Sequence, residues 1–199
     1  MNEFDRVVQW IEPGARVLDL GCGDGALLAQ LREARNVHGY GLEIDVENIA
    51  RCVARGVNVI QADLDQGLTA FDTDSFDTVI LSQTLQAVRY PALLLREMLR
   101  VGREGVVTFP NFGHWKARVQ LGVGGRMPVT ASMPSQWYDT ENIHLFTVHD
   151  FDRLCRAEGI QVVERATLDA QRREGLMNRL WPSLFCEVAI YRVRQRGGG

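Results

Sequence analysis

Residues 17–28 of the chain read Val17-Leu18-Asp19-Leu20-Gly21-Cys22-Gly23-Asp24-Gly25-Ala26-Leu27-Leu28. An apolar run, three glycines at alternate positions and an amphipathic pattern follow one another, which predicts a strand, a tight turn and a helix. Glycines have no Cβ, so they permit the turn and let a ligand approach the backbone closely. The helix start offers free N–H groups that favour an anionic group. We therefore expect a nucleoside-bearing small molecule at the tip of the first strand.

Two kinds of nucleoside ligand compete for this turn. Gly21, Gly23 and Ala26 formally satisfy the G-x-G-x-x-G/A fingerprint of dinucleotide sites. Asp19 argues against a dinucleotide, because a carboxylate at that position would repel a pyrophosphate but attract the ammonium group of a methionine moiety. The pattern therefore favours S-adenosylmethionine, and an NAD-binding oxidoreductase is the less favoured interpretation.

Acidic residues also close the next two predicted strands. Residues 37–43 form strand two and end on Glu43, whose carboxylate can accept both ribose hydroxyls. Strand three, residues 57–62, is followed by Asp63, which can accept from the adenine amine, while the Leu64 amide can donate to a ring nitrogen. The alternative is that Glu43 and Asp63 are helix caps or solvated loop residues. The predicted ligand-binding set is Asp19, Gly21, Cys22, Gly23, Gly25, Glu43, Ile44, Ala62, Asp63, Leu64, Ser82 and Gln83.

Composition limits the classes of function. The 199 residues are 46% hydrophobic and 24% charged, as in an ordinary soluble globular protein. The net charge of −3 gives no electrostatic case for nucleic acid or an anionic membrane. No apolar stretch approaches the about 20 residues that span a bilayer, and no signal-peptide pattern opens the chain. We expect a single cytoplasmic domain over residues 1–199.

The four cysteines have neither C-x-x-C nor metal-ligand spacing, so we expect reduced, unpaired thiols and no metal site. Cys22 is predicted in the glycine turn, Cys52 and Cys155 in helices and Cys186 in a strand.

Strands and helices alternate along the chain. This order predicts an α/β fold with a doubly wound, Rossmann-like, mostly parallel sheet and an antiparallel last strand. The predicted strands are 16–20, 37–43, 57–62, 76–81, 105–109, 160–165 and 186–193. The predicted helices are 3–11, 25–34, 46–54, 90–101, 113–121 and 148–159.

A long insertion, which we call the flap, follows strand five at residues 110–147. Its aromatic, methionine and arginine side chains are those favoured at protein–protein anchor sites, and a lid over a substrate pocket uses the same types. A packed flap without any partner is the third possibility. The candidate partner or substrate residues are His114, Trp115, Arg126, Met127, Trp137, Tyr138, Asn142 and His144.

Two levels of family resemblance rest on these motifs. Over residues 15–165 the chain resembles class I S-adenosylmethionine-dependent methyltransferases in Asp19-x-Gly21-x-Gly23-x-Gly25, Glu43, Ala62-Asp63 and Phe76-Asp77-x-Val79 followed by Leu85. More specifically, it resembles the MetW family of methionine biosynthesis proteins in Pro110-Asn111-Phe112-Gly113-His114-Trp115, Gly125-Arg126-Met127-Pro128 and Trp137-Tyr138-Asp139-Thr140-x-Asn142-Ile143-His144. The resemblance implies the class I methyltransferase fold, bound S-adenosylmethionine or S-adenosylhomocysteine, and homoserine O-acyltransferase (acetyl- or succinyltransferase) as a protein partner.

Two departures from these patterns bear on catalysis. Gln86 and Ala87 stand where many methyltransferases carry Glu-His, so a possible general base is missing, and Glu141 stands where a proline is common. His114 and His144 remain candidate bases, but the sequence reveals no carboxylate partner for either, and we interpret His144 as a hydrogen-bonded, partly buried residue. The sequence therefore favours a binding and activating protein of methionine biosynthesis, with a small-molecule methyltransferase as the alternative.

Overall fold

A computed structural model describes residues 3–169, 171, 173 and 175–196. The strands are β1 Arg16–Leu20, β2 His38–Glu43, β3 Asn58–Gln61, β4 Phe76–Ser82, β5 Gly102–Pro110, β6 Ile160–Leu168 and β7 Val188–Gln195. The helices are α1 Glu3–Trp10, α2 Ala26–Arg35, α3 Val46–Ala54, α4 Pro91–Val101, α5 Trp115–Gly122, α6 Val148–Ala157, α7 Leu176–Leu180 and α8 Pro182–Phe185, with a 3-10 turn at Leu64–Gln66.

The seven strands form one sheet in the order β3-β2-β1-β4-β5-β7-β6. The pairs from β3 to β5 are parallel, whereas β7 runs antiparallel to both of its neighbours. The predicted α/β class and the antiparallel last strand are confirmed. The last strand does not extend the edge as a simple hairpin, because it inserts between β5 and β6.

Helices cover both faces of the sheet, which explains the continuous apolar strands. On one face, Leu18 and Leu20 of β1 pack in a cluster with the apolar sides of α4 and α6. On the other face, Val17 belongs to a cluster with α1, α2 and α3. Alternation along β1 leaves Asp19 as a carboxylate inside an otherwise apolar layer.

The structure corrects several sequence-based boundaries. β5 begins at Gly102 rather than at residue 105, and β6 continues to Leu168. The short helices α7 and α8 were not predicted, and Cys186 precedes β7 rather than lying in it. The reason is that α8 ends at Phe185 with Cys186 as its C-cap residue, so the strand starts two residues later, at Val188.

Within the described ranges, no helix combines the length and the apolar character that crossing a membrane requires. Across the same residues, no three histidine, cysteine, aspartate or glutamate side chains gather as a metal site. The four thiols are free and buried. Two of them nevertheless meet, since the Sγ atoms of Cys22 and Cys52 lie 3.8 Å apart behind the glycine turn.

Candidate functional site: the strand-tip cavity and the flap

The carboxyl ends of β1 to β4 surround a cavity of about 670 Å³, which we call the strand-tip cavity. In open α/β sheets this edge is where ligands bind. The cavity is lined by Gly21, Gly23, Leu42, Glu43, Ile44, Asp45, Asn48, Ala62, Asp63, Leu64, Asp65, Ser82, Gln83, Thr84, Ala87, Val88 and Glu141. Nine of the twelve residues predicted to bind a ligand are in this lining: Gly21, Gly23, Glu43, Ile44, Ala62, Asp63, Leu64, Ser82 and Gln83.

The charged residues of the cavity lining all have the same sign. Five lining residues are acidic, and none of the seventeen is lysine, arginine or histidine; the acidic ones are Glu43, Asp45, Asp63, Asp65 and Glu141. Carboxylates repel phosphate groups and attract cations at such short range. The lining therefore suits a ligand that carries positive charge and no phosphate.

The glycine turn wraps around the tip of β1 in a left-handed backbone conformation. Gly21, Gly23 and Gly25 have φ angles of 71°, 54° and 76°, a region that residues with a Cβ rarely adopt. A Cβ at Gly21 would also come within 2.7 Å of the Thr84 side chain. Both conformation and crowding therefore require glycine at position 21, as the sequence pattern indicated.

Glu43 ties the turn to the second strand. Its Oε2 accepts from the backbone N–H of Gly23 at 2.8 Å, and its Oε1 accepts from those of Ile44 and Asp45 at 2.9 and 3.0 Å. Glu43 is almost fully buried yet lines the cavity. It therefore acts as a local cap, as the alternative interpretation held, and it also lines the cavity; its binding of ribose hydroxyls stays a prediction.

Asp63, like Glu43, is both a local cap and part of the cavity lining. Its side chain accepts from the backbone N–H of Asp65 at 3.0 Å and so caps the 3-10 turn. Asp63 and the following Leu64 also line the cavity. The cap holds the carboxylate at a fixed place beside the backbone amide of Leu64, the pair predicted to meet an adenine ring.

Asp19, Cys22 and Gly25 are buried and do not belong to the cavity lining. Burial, reinforced by the charge of Glu43, raises the pKa of Asp19 to about 7. The Oδ1 atom of Asp19 is buried without a hydrogen-bond partner. The tip of β1 therefore carries an unsatisfied polar group next to the turn, which is costly unless something compensates it.

Gln83 follows β4 in a strained conformation. Its φ of 54° is left-handed although it has a side chain. Its backbone N–H donates to the Thr108 hydroxyl at 3.1 Å, and its side-chain amide donates to Glu3 at 2.9 Å. Residues of α1 and β5 therefore fix the polar wall that Ser82 and Gln83 form, consistent with a site that requires defined positions.

His114 has a carboxylate neighbour that the sequence concealed. His114 and Glu187 are 3% and 2% exposed, and His114 Nδ1 and Glu187 Oε1 both lack hydrogen-bond partners. Burial lowers the pKa of His114, while the nearby charge of Glu187 acts in the opposite direction. The pairing of β5 with β7 causes this meeting, because the backbone N–H of Asn111 donates to the Glu187 carbonyl at 2.9 Å.

The position of His114 corrects one expectation for the flap. As a buried residue it cannot contact a partner on the surface, because its turn is packed beneath α5 and the segment before β7. His144 is partly buried, as predicted, but its Nε2 is buried without a hydrogen-bond partner, contrary to the prediction that its side chain is hydrogen-bonded. His144 contributes its backbone instead, since its N–H donates to the Gln86 carbonyl at 2.9 Å.

The other predicted flap residues lie at or near the surface. Trp137 and Tyr138 are 70% and 72% exposed, Trp115 is 43% exposed, and Asn142 is half-buried. A second cavity of about 670 Å³ opens within the flap and is lined by Gln120, Gly125, Arg126, Met127, Val129, Gln136 and Trp137. The side-chain amide of Gln120 holds its loop by two 3.0 Å bonds to the Val129 backbone.

Eight lining residues were not in the predicted set, and Glu141 is the one of them that lies outside the strand tips and the segments directly after β2, β3 and β4. Glu141 belongs to the flap and is distant in sequence from the strand tips, but it lines the strand-tip cavity. Its neighbours explain the placement, because the N–H groups of Ile143 and His144 both donate to the Gln86 carbonyl just after β4. The only local signal was an acidic residue where the related pattern has a proline.

The strand order, the glycine turn after β1 and the acidic strand tips together define a class I methyltransferase-like protein. The chain belongs to the MetW family, described as methionine biosynthesis protein MetW, whose family model matches residues 1–193. This confirms the family that the flap motifs indicated.

Two relatives match the chain. The bifunctional methionine biosynthesis protein MetXA/MetW of Rhodopirellula baltica is 35% identical over 195 residues, which is 94% of this chain and 31% of that protein. The nocamycin O-methyltransferase of Saccharothrix syringae is 35% identical over 118 residues, covering 52% of this chain and 42% of that protein. The chain thus spans well under half the length of these relatives.

Two solved methyltransferase structures share the fold. One from Archaeoglobus fulgidus has a TM-score of 0.71 at 15% identity and covers 96% of this chain and 91% of its own. One from Mesorhizobium loti has a TM-score of 0.70 at 19% identity and covers 96% and 95%. At such identities the likeness concerns the fold alone.

The raised pKa of Asp19 predicts a pH-dependent stability. Because the folded state holds the carboxyl protonated up to about pH 7, while the unfolded chain ionises it near pH 4, this group's contribution to stability is lost as pH rises between those values. Asp19→Asn is expected to increase the free energy of unfolding at pH 8, by about 4 kcal/mol at most, with a much smaller effect at pH 4. Urea unfolding at both pH values measures this difference.

Asp77→Asn is the matched control, with the opposite sign. Asp77 accepts from the Arg16 backbone N–H at 2.9 Å, and this bond, with nearby arginines, lowers its pKa. Loss of that carboxylate should lower the free energy of unfolding at pH 8, and this destabilisation should become smaller as the pH falls through the pKa of Asp77. Equal effects of Asp19→Asn at both pH values would contradict the buried, protonated state of Asp19.

Proposed function

We propose that the strand-tip cavity binds S-adenosylmethionine or its demethylated product, S-adenosylhomocysteine. The observation that carries the proposal is a lining with five carboxylates and no basic residue in a methyltransferase-like sheet. A dinucleotide would bring its pyrophosphate next to these carboxylates. A sulfonium nucleoside brings positive charge and no phosphate, and so complements them.

The chain's own residues fit this ligand. Glu43 is the acceptor for the ribose hydroxyls, and Asp63 and the Leu64 amide serve the adenine edge. Asp19 lies outside the lining with one unpartnered oxygen, and a cation bound nearby would favour the ionised form of this carboxyl, whose pKa burial raises to about 7. When bound, the sulfonium compound supplies a transferable methyl group and a positive charge.

Calorimetric titration tests this ligand assignment. Both adenosyl compounds are expected to bind with micromolar affinity, whereas NAD should give no measurable heat. Glu43→Gln, which removes a buried lining charge, should weaken binding about tenfold or more. Glu47→Gln is the control, because Glu47 is an exposed carboxylate of α3 with a side chain 84% exposed. Binding of NAD in preference to either adenosyl compound would refute the proposal.

We further infer that the protein acts in methionine biosynthesis as a partner and activator of homoserine O-acyltransferase in the cytoplasm. The fused MetXA/MetW relative supports this, because one chain in Rhodopirellula baltica joins the two named parts. The flap supplies the surface, with Arg126, Met127 and Trp137 around its own cavity and Tyr138 beside it. Side chains of these types dominate the energetics of protein interfaces.

Capture of the acyltransferase tests the flap as the interface. Trp137→Ala and Arg126→Ala should each weaken the complex by about tenfold or more, as truncation of interface anchors does. Leu93→Ala is the control, because Leu93 is an exposed apolar residue of α4, outside the flap. Surface plasmon resonance with the purified acyltransferase gives the affinities. Undiminished binding by both flap variants would show that the interface lies elsewhere.

One observation favours a second function, transfer of the methyl group to a small molecule. Burial lowers the pKa of His114, which favours the neutral imidazole that a general base requires, and the charge of Glu187 acts on it. No hydrogen bond joins Glu187 to Nδ1 of His114 in the structure, so Glu187 would act as an orienting carboxylate only after the two side chains come into contact. In that case, S-adenosylhomocysteine should accumulate with a pathway metabolite as acceptor, and His114→Gln should slow its formation about a hundredfold or more. Chromatography of the nucleosides measures turnover, and an unaffected variant would exclude His114 as the base.

A further inference from the structure

One short segment of the flap joins the strand-tip cavity to the protein surface. Glu141 lines the cavity. Trp137 and Tyr138, which precede it closely in the chain, are largely exposed and contact each other edge to face, with ring centroids 5.7 Å apart. Residues 137–144 therefore carry both a cavity carboxylate and an exposed aromatic pair.

This segment is attached to the cavity wall through Gln86. The backbone N–H groups of Ile143 and His144 both donate to the Gln86 carbonyl at 2.9 Å. The buried side chain of Gln86 donates in turn to the carbonyl of Gln83, itself a lining residue. Gln86 Oε1 and His144 Nε2 are buried without partners, so the attachment is not fully satisfied. A contact of this kind can tighten or loosen with the content of the cavity.

Charge gives the segment a reason to respond to the ligand. Glu141 shares the cavity with the carboxylates of Glu43, Asp45, Asp63 and Asp65. Like charges repel, and a cation placed among them turns that repulsion into attraction. S-adenosylmethionine carries a sulfonium charge that S-adenosylhomocysteine lacks. Among the lining carboxylates, Glu141 is the one carried by the flap, so its attraction to that charge acts directly on the flap.

We propose that Glu141 responds to the charge of the bound nucleoside and that its response changes the position of the exposed Trp137–Tyr138 pair. The sulfonium compound draws Glu141 inward, fixes residues 137–144 against Gln86 and sets the aromatic pair for the acyltransferase. The neutral thioether occupies the same cavity without fixing the segment. This inference rests on the proposed adenosyl ligand of the cavity, and it makes Glu141 a selectivity and positioning residue.

Glu141→Gln tests the inference, with Asp139→Asn as its matched control. Asp139 is an exposed carboxylate of the same segment that does not line the cavity. Titration calorimetry gives the affinity for each adenosyl compound, and hydrogen exchange gives the protection of the Ile143 and His144 amides. In the wild type and in Asp139→Asn, the sulfonium compound should slow exchange about tenfold more than the thioether does. In Glu141→Gln both compounds should still bind, with equal protection and equal acyltransferase affinity.

The outcomes separate this inference from the ligand assignment beneath it. If both compounds bind the wild type but protect the two amides equally, the coupling is overturned while the cavity assignment stands. The same holds if Glu141→Gln keeps the full difference between the compounds. If neither compound binds the wild type, the proposed function of the cavity fails, and the role of Glu141 fails with it.

Discussion

Buried negative charge at the tips of β1 and β2 is the constraint around which the site is built. Glu43 is stabilised by three backbone N–H groups, including that of Gly23 in the glycine turn. Asp19 on the neighbouring strand has no such compensation for Oδ1, and burial together with Glu43 raises its pKa. The two strands are adjacent and parallel, and Glu43 lies two residues beyond Gly41, the register partner of Asp19, so both carboxyls lie near the same edge of the sheet. Burying these two carboxyl groups together is energetically unfavourable, and a cationic ligand bound nearby would reduce that unfavourable free energy.

The same constraint organises the surroundings of the cavity. The turn must approach Glu43 closely to donate its N–H, which requires the left-handed glycines at 21 and 23. Gln83 is held in its strained conformation by Thr108 and Glu3, so the wall opposite the turn is fixed from both β5 and α1. Glu141 then approaches from the flap and adds a carboxylate to those of the strand tips. The strand-tip cavity and the flap are therefore linked by the electrostatic interactions among these carboxylates.

Local sequence was sufficient for the sheet and for most of the cavity, because both follow from short-range patterns. Apolar runs, the glycine spacing and an acidic residue at or near the end of each of the first three strands predicted β1 to β3 and the residues at their tips. The meeting of His114 with Glu187 could not be predicted, since it depends on β7 pairing antiparallel to β5. Glu141 was missed for a similar reason, because only the contact of residues 143 and 144 with Gln86 brings it to the cavity. Long-range register, rather than local propensity, decided these parts of the site.

The insertion of β7 between β5 and β6 has a consequence for folding during synthesis. β6 precedes β7 in the chain but touches the rest of the sheet only through it. While residues 188–195 are still inside the ribosome, β5 and β6 both present open hydrogen-bonding edges, and these are prone to pair with other chains. The nascent protein is therefore most exposed to aggregation just before that strand emerges, and a chaperone would act to greatest benefit in that interval.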